Sequence, residues 1–288
     1  MAKNGKIRIF NGAVAIITGG ASGIGRAFGE ALAAKGCEVV LGDLQVDQAE
    51  EVAAGIRASG GKATAAELNV VDHKAVVNLV EETVERCGRL DYMFNNAGIA
   101  IFGEASDYEI SDWNKSIDVN LRGVAHGVYA TYGLMRKQGF GHIINTASIA
   151  GLCPWPMEIG YTTTKYAVVG LSQALRAEAA DTGVRVSVLC PGTVKTPILE
   201  GGKYGGWIRN YPQDKVNEMM DNTKPIPVDK FVQLALKEIA NNKAIIVTPV
   251  GYKIAWWLNR LSPRLGVGMS TKLFQIMRKS LEKMGYAE

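Results

Sequence analysis

The chain has 288 residues, 47% of them hydrophobic and 21% charged, which is enough for a sizeable core and unlike a disordered segment. Its net charge of +4 is too small to point to nucleic acid. Four scattered cysteines (Cys37, Cys87, Cys153 and Cys190) with no CxxC pair, and three separated histidines (His73, His126 and His142), argue against a disulfide framework and a metal site. "MAKNGKIRIFNG" at the start lacks the apolar run of a signal peptide, and no stretch is long and apolar enough to span a bilayer. A reducing, cytoplasmic setting is the expectation.

In chain order, "AVAIIT" (13–18) is a continuous β-branched apolar run and reads as a buried strand. The turn "GGASGIG" leads to a helical pattern from Arg26 to Lys35, stopped by Gly36. Strand "EVVLGD" (38–43) precedes a helix from Val46 to Ala58, which ends at the breaker "SGG". Strand "KATAAEL" (62–68), a helix over 73–87 and strand "LDYMFN" (90–95) follow. A long helix runs from about Asp112 to Lys137, then strand "GHIINTA" (141–147), a helix through Tyr161 to about Asp181, and strand "VRVSVLC" (184–190). A helix near 229–241 and strand "AIIVT" (244–248) complete the pattern. Seven strands alternating with helices imply an α/β fold, a doubly wound parallel sheet covered on both faces. Residues 1–250 read as one domain and 251–288 as a helical extension.

"TGGASGIG" (18–25) lies between the first strand and the first helix. Its glycines Gly19, Gly23 and Gly25 permit a tight turn and close approach to a pyrophosphate, while the helix amides face the anion. Asp43 ends the second strand, eighteen residues after Gly25, where a carboxylate can accept hydrogen bonds from an adenosine ribose. Neither residues 20–22 nor Leu44 supplies a cation for a 2′-phosphate, which points to NAD rather than NADP. Tyr161 and Lys165 stand four apart at the start of a helix, hence on one face. An ammonium there stabilises a phenolate and makes Tyr161 a usable proton donor and acceptor near neutral pH.

Six motifs occur together and in order: TGxxxGIG at 18–25, "NNAG" at 95–98, Asn120 within "DVNL", Ser148 within "SIAG", YxxxK at 161–165 and "PGTVKTP" at 191–197. Over residues 10 to 250 the chain resembles the short-chain dehydrogenase/reductase family, whose core is a Rossmann-type sheet. The resemblance implies roles. Tyr161 is the general acid/base, and Lys165 lowers its pKa and holds the nicotinamide ribose. Ser148 orients the substrate oxygen, and Asn120 holds a water that relays protons. Ser22 and Ile24 belong with the glycines of the phosphate loop, and Leu44 follows Asp43. Asn96, Ala97 and Gly98 line the adenosine side, and Pro191, Gly192, Val194 and Thr196 flank the nicotinamide. The family often has Asp-Val where this chain has Asn69 and Val70, so the adenine contact there rests on an amide oxygen. A homodimer or homotetramer is implied, through the helices that carry Asn120 and Tyr161.

Three stretches bear on the substrate. "IAGLCPWPMEIG" (149–160) is apolar, with Trp155 and Met157 offered to a ligand. Residues 198–227 sit where the family has a mobile lid, and Trp207, Ile208, Tyr211, Met219 and Met220 are its apolar candidates. The tail from Gly251 carries seven Lys or Arg against two Glu, a net of +5, which leaves the rest near −1. Ile254, Trp257, Leu258, Leu261 and Leu265, and then Leu273, Ile276, Met277 and Leu281, fall at helical spacing with basic opposite faces. That pattern suits a lid, a subunit contact or a peripheral membrane contact. The expectation is an NAD-dependent oxidoreductase of a hydrophobic secondary alcohol or its ketone, whether steroid, lipid-derived or terpenoid. Two alternatives stay open: an NADPH-dependent reductase of 3-oxoacyl or other carbonyl substrates, and a non-catalytic dinucleotide-binding module.

Overall fold

The computed structural model describes residues 6–199 and 204–282. Apolar β-branched runs become seven parallel strands, β1 (Val14–Thr18), β2 (Glu38–Asp43), β3 (Lys62–Glu67), β4 (Tyr92–Asn95), β6 (Gly141–Thr146), β7 (Val184–Pro191) and β11 (Ile245–Thr248). Their spatial order is β3-β2-β1-β4-β6-β7-β11. Ile17 of β1 pairs with Leu41 of β2 on one side and Phe94 of β4 on the other. The chain thus winds outward from β1 in one direction, then returns to build the other half. At that reversal the connections leave in opposite directions and open a crevice at the carboxyl ends of β1 and β4.

Helices cover both faces. On one, α1 (Gly23–Ala33), α2 (Val46–Ala58) and α8 (Val228–Ala240) bury Phe28, Leu32, Val52, Phe231, Leu236 and Ile239 against the sheet. On the other, α3 (His73–Cys87), α5 (Gly123–Gln138) and α6 (Ile159–Glu178) close over Val76, Leu79, Met135, Ile143 and Val186. The long helix read from Asp112 to Lys137 is interrupted. α4 (Ile110–Ile117) passes into α5 through a π-helical turn, Asp118–Arg122, that contains Asn120. Such wide turns are rare and concentrate at functional positions.

Sequence periodicity did not reveal the short elements above the crevice. β5 (Ala100–Phe102) pairs with β9 (Gly205–Trp207), β8 (Val194–Lys195) pairs with β10 (Ile226–Pro227), and α7 (Gln213–Asp221) lies between them. Strands of two or three residues are too brief to carry an alternation. The extension forms α9 (Tyr252–Leu261) and α10 (Pro263–Glu282). It packs on the domain: Tyr252, Ala255 and Trp256 join the cluster of Leu152, Val169 and Val247, and Asn259 donates to the Leu152 carbonyl at 2.9 Å. No helix among the described residues is long and apolar enough to cross a membrane.

Phe231 meets Phe28 edge-on at 6.2 Å and so ties α8 to the helix whose first turn borders the crevice. Phe231→Ala removes a fully buried ring. A loss of about 3–5 kcal/mol is expected, measured by urea unfolding.

Candidate active site

A cavity of about 600 Å³ lies above the carboxyl ends of the central strands. Its floor begins with the glycine loop. Gly19 (φ +69°) and Gly23 (φ +51°) hold left-handed conformations that favour glycine. A Cβ on Gly19 would stand 3.0 Å from the Ala97 Cα. Gly25 serves packing instead. A Cβ there would lie 2.0 Å from the Gly19 carbonyl, so its absence lets α1 press against the loop, and Gly25 does not line the cavity. Ser22 precedes α1 without capping it through its side chain, which leaves first-turn amides available to an anion. Ser22, Gly23 and Ile24 line the cavity.

Asp43 sits at the cavity rim, 8% exposed. Its two oxygens accept the amides of Ala21 (3.0 Å) and Gln45 (2.9 Å), so the carboxylate is held rigidly beside the loop it braces. Leu44 points to solvent, and Tyr204, whose hydroxyl accepts from Gln45 Nε2 at 3.3 Å, joins the lining. Asn69 and Val70 lie outside it. The Asn69 amide oxygen is taken by the Val71 amide at 3.1 Å in a local turn, and Val70 is buried with its carbonyl 2.9 Å from His126 Nδ1.

The "NNAG" segment stitches strand ends. Asn95 donates to Asn145 Oδ1 (2.8 Å), Asn96 donates to the Thr18 carbonyl (3.1 Å), and the Thr18 hydroxyl accepts the amides of Asn96 (2.9 Å) and Ala97 (3.0 Å). Asn96, Ala97 and Gly98 border the cavity, as do Pro191, Gly192, Val194 and Thr196. A Cβ on Gly192 would fall 2.2 Å from the Tyr252 ring, so the extension packs directly on the end of β7.

The structure brings Ser148, Tyr161 and Lys165 together on one wall. Ser148 starts a short 3₁₀ turn, Ile149–Gly151, accepts the Ala150 amide at 3.1 Å and hydrogen-bonds the Tyr161 phenol. Lys165 is buried, donates to the Thr146 carbonyl at 2.9 Å, and stands 5.2 Å from the centre of the Tyr161 ring. Asn120 sits behind this wall. Its Oδ1 accepts the Ile99 amide (2.9 Å), and its Nδ2 donates to the Ile99 carbonyl (2.9 Å) and the Thr164 hydroxyl (3.3 Å). With its side chain so engaged, Asn120 positions the loop after β4 against α6. A Cβ on Gly98 would lie 3.1 Å from Asn120 Oδ1 and 3.5 Å from Lys165 Nζ, which is why the loop narrows to glycine there.

The electrostatics differ from the expectation that Lys165 lowers the Tyr161 pKa. Burial pushes the phenol up, and the charge of Glu158 adds to that, while the Ser148 hydrogen bond pulls the other way. Burial brings Lys165 down to about 8, opposed by Cys190 and Glu158. Glu158, three residues before Tyr161, was not anticipated. It lines the cavity, and burial raises its pKa to about 8 against the attraction of Lys165.

The remaining walls are mostly apolar, with Asn222, Thr223 and Ser280 among them. Trp155, Phe102, Met219, Met220 of α7 and Leu273, Ile276 and Met277 of α10 enclose the space. Met157, expected to face a ligand, is buried away from it at the turn into α6. Trp207, Ile208 and Tyr211 do not line the cavity either. Trp207 stacks on Phe102 at 5.2 Å and meets Tyr211 edge-on, and Ile208 packs at Gly103. Part of the expected lid, 200–203, lies outside the described residues, as do 283–288 of the extension.

Comparison with known proteins agrees with this geometry. A family model described as short chain dehydrogenase matches residues 13–203. A cyclohexanol dehydrogenase of Acinetobacter sp. (strain SE19) is 37% identical over 73% of this chain and 84% of its own. A 2,5-dichloro-2,5-cyclohexadiene-1,4-diol dehydrogenase, LinX, of Sphingobium indicum is 38% identical over 76% of this chain and 83% of its own. A crystal structure of a short-chain dehydrogenase/reductase from Burkholderia phymatum in complex with NAD superposes with a TM-score of 0.80 at 30% identity, covering 90% of this chain and 96% of that one. The chain belongs to the short-chain dehydrogenase/reductase family of oxidoreductases.

The sign of one pH effect follows from Glu158, which Lys165 of α6, Tyr161 of α6 and Tyr108 before α4 face. Its folded pKa of about 8 exceeds the ordinary value of 4.5, so the folded state retains a proton that the unfolded state loses. That contribution is complete below pH 4.5 and is lost as pH rises through about 8. Glu158→Gln removes the titration. Its melting temperature should therefore gain on the wild type steadily between pH 5 and pH 8, as scanning calorimetry would record.

Proposed function

We propose that the protein is an NAD-dependent dehydrogenase of hydrophobic, alicyclic secondary alcohols. The observation that carries this reading is the convergence of Ser148, Tyr161 and Lys165 on one wall of an otherwise apolar cavity that opens beside the glycine loop and Asp43. The names of the two relatives support ring alcohols as the substrate class.

The residues fit a dinucleotide: left-handed glycines, uncapped α1 amides for the pyrophosphate, and a fixed carboxylate for the adenosine ribose. When bound, NAD would supply the hydride acceptor. Ser148 holds the alcohol oxygen next to the Tyr161 phenol. Tyr161 exchanges a proton with that oxygen, as a phenolate base in oxidation or a phenol acid in reduction. Burial favours the phenol, and the Ser148 hydrogen bond opposes it. Apolar walls from α7 and α10 exclude water and select a hydrophobic ring.

NAD is favoured over NADP because Asp43 would repel a 2′-phosphate and Leu44 offers no counter-charge. Exposed Tyr129 on α5 and Tyr166 on α6 support a homo-oligomer through those helices. The outer side of the extension leaves Ile254, Trp257, Leu261 and Leu265 in solvent beside Lys253, Arg260 and Arg264. That face suits a further subunit contact or an anionic lipid surface, and co-sedimentation with anionic vesicles separates the two.

Tyr161→Phe should lower kcat for cyclohexanol oxidation by about 10²–10⁴-fold while NADH binding, read by nicotinamide fluorescence, stays within a few-fold. Equal turnover by the variant would remove Tyr161 from the chemistry. Titration with both cofactors should give tighter NADH than NADPH binding. Leu44→Arg should then improve NADPH affinity by about tenfold or more, the worth of one charge-assisted hydrogen bond. A wild type that prefers NADPH would move reductase chemistry to first place.

A further inference from the structure

Proton transfer between Tyr161 and the alcohol oxygen leaves Glu158 without a role. The residue is 7% exposed, and what remains open faces the cavity. No protein hydrogen bond reaches its carboxyl among the described residues; burial and the charge of Lys165 are what act on it. Its backbone is pinned on both sides. Gly103 bridges to it, the Gly103 amide donates to the Met157 carbonyl at 2.7 Å, and the Thr162 amide donates to the Glu158 carbonyl at 2.8 Å. The side chain therefore cannot be withdrawn to solvent by a small rearrangement of the loop.

A buried carboxyl without a partner is costly in either protonation state. Its neighbours on the cavity wall, Trp155 and Pro156, offer no side-chain donor that reaches it. The carboxyl opens to the cavity, so its partner is water or a ligand group that displaces it, and the chemistry of that ligand group is constrained. With its proton the carboxyl both donates and accepts, and without it the group only accepts. A hydroxyl matches both forms. A ketone matches only the acid, and an ammonium matches only the carboxylate and would stand near the Lys165 charge. The spacing adds a second condition. Glu158 precedes the first turn of α6 by one residue, and Tyr161 lies three residues further on, so the carboxyl and the phenol flank the same volume.

We propose that Glu158 is a specificity-determining residue that binds a second hydroxyl of the substrate, while Ser148 and Tyr161 hold the hydroxyl that is oxidised. The inference rests on the alcohol dehydrogenase reading of this site and narrows it: the preferred substrates are diols on an apolar ring, and the products are hydroxyketones. Sites built to hydrogen-bond a substrate hydroxyl discriminate strongly against the analogue that lacks it, because the buried group is then left unpaired.

The test compares cyclohexanol with cyclohexane-1,2-, 1,3- and 1,4-diols on wild type, Glu158→Gln and Glu158→Leu. Two readouts are taken, kcat/KM with NAD, and equilibrium binding to the NADH complex followed by the fluorescence of Trp155 in the cavity wall. In the wild type at least one diol should exceed cyclohexanol by about tenfold or more in kcat/KM. That ratio should fall to within about twofold of unity in Glu158→Leu. Glu158→Gln, whose amide also donates and accepts, should keep part of it and controls for folding. A wild type that favours no diol, or a preference that survives unchanged in Glu158→Leu, would overturn the inference. If the wild type oxidises none of these alcohols with either nicotinamide cofactor, the dehydrogenase reading fails separately. Binding then decides: diol binding that Glu158→Leu loses supports the subsite, and its absence in the wild type refutes it.

Discussion

Lys165 carries a positive charge into a place that water scarcely reaches, and much of the site is arranged around that fact. Its ammonium is anchored by the Thr146 carbonyl at the end of β6 at 2.9 Å. Burying a cation is tolerable only with such partners close by. The anchor fixes α6 against the sheet at one height, which in turn sets where Tyr161 meets Ser148. It also explains Gly98, where a side chain would crowd both Lys165 and Asn120. The burial that makes this geometry rigid raises the phenol pKa as well, so the site balances a proton donor against a proton acceptor rather than holding a ready phenolate.

A second constraint is close backbone approach. Three chain segments converge where β1, β4 and α1 meet, and Gly19, Gly25 and the Thr18 hydroxyl let them do so. Polar side chains that might have served a ligand are largely spent here on holding strand ends together. Asn95, Asn145 and Ser172 form a chain of hydrogen bonds across β4, β6 and α6, and Asn96 separately links the Thr18 carbonyl to the Thr146 hydroxyl. Asn120 does the same from the π turn. The cavity that results is polar on its floor and on the wall that carries Ser148, Glu158, Tyr161 and Lys165, and mostly apolar elsewhere.

The extension belongs to this design. α9 seats Tyr252 on Gly192, and α10 brings Leu273, Ile276 and Met277 to the cavity. The division into residues 1–250 and an appended tail therefore understates their connection, because the tail supplies part of the cavity lining.

Ser148 came into view only through the resemblance to the family, whereas the alternation of seven strands with helices, the glycine loop, Asp43 and the Tyr161–Lys165 pair were legible in the chain itself. Each is a local pattern: an apolar run between breakers, glycines before a helix, or two residues one helical turn apart. Other features depended on which segments come into contact. Met157 reads as a residue offered to a ligand until the turn into α6 buries it, and Trp207 reads as a lid residue until β9 stacks it on Phe102. Glu158 carries no local signal at all. A single acidic residue before a helix is an ordinary surface feature, and only the packing of α6, the Gly103 bridge and the cavity above them turn it into a buried, unpartnered carboxyl. Local spacing determined the fold and the core of the candidate site. The tertiary structure decided the pKa balance and the substrate walls, since both arise from burial among residues far apart in the chain.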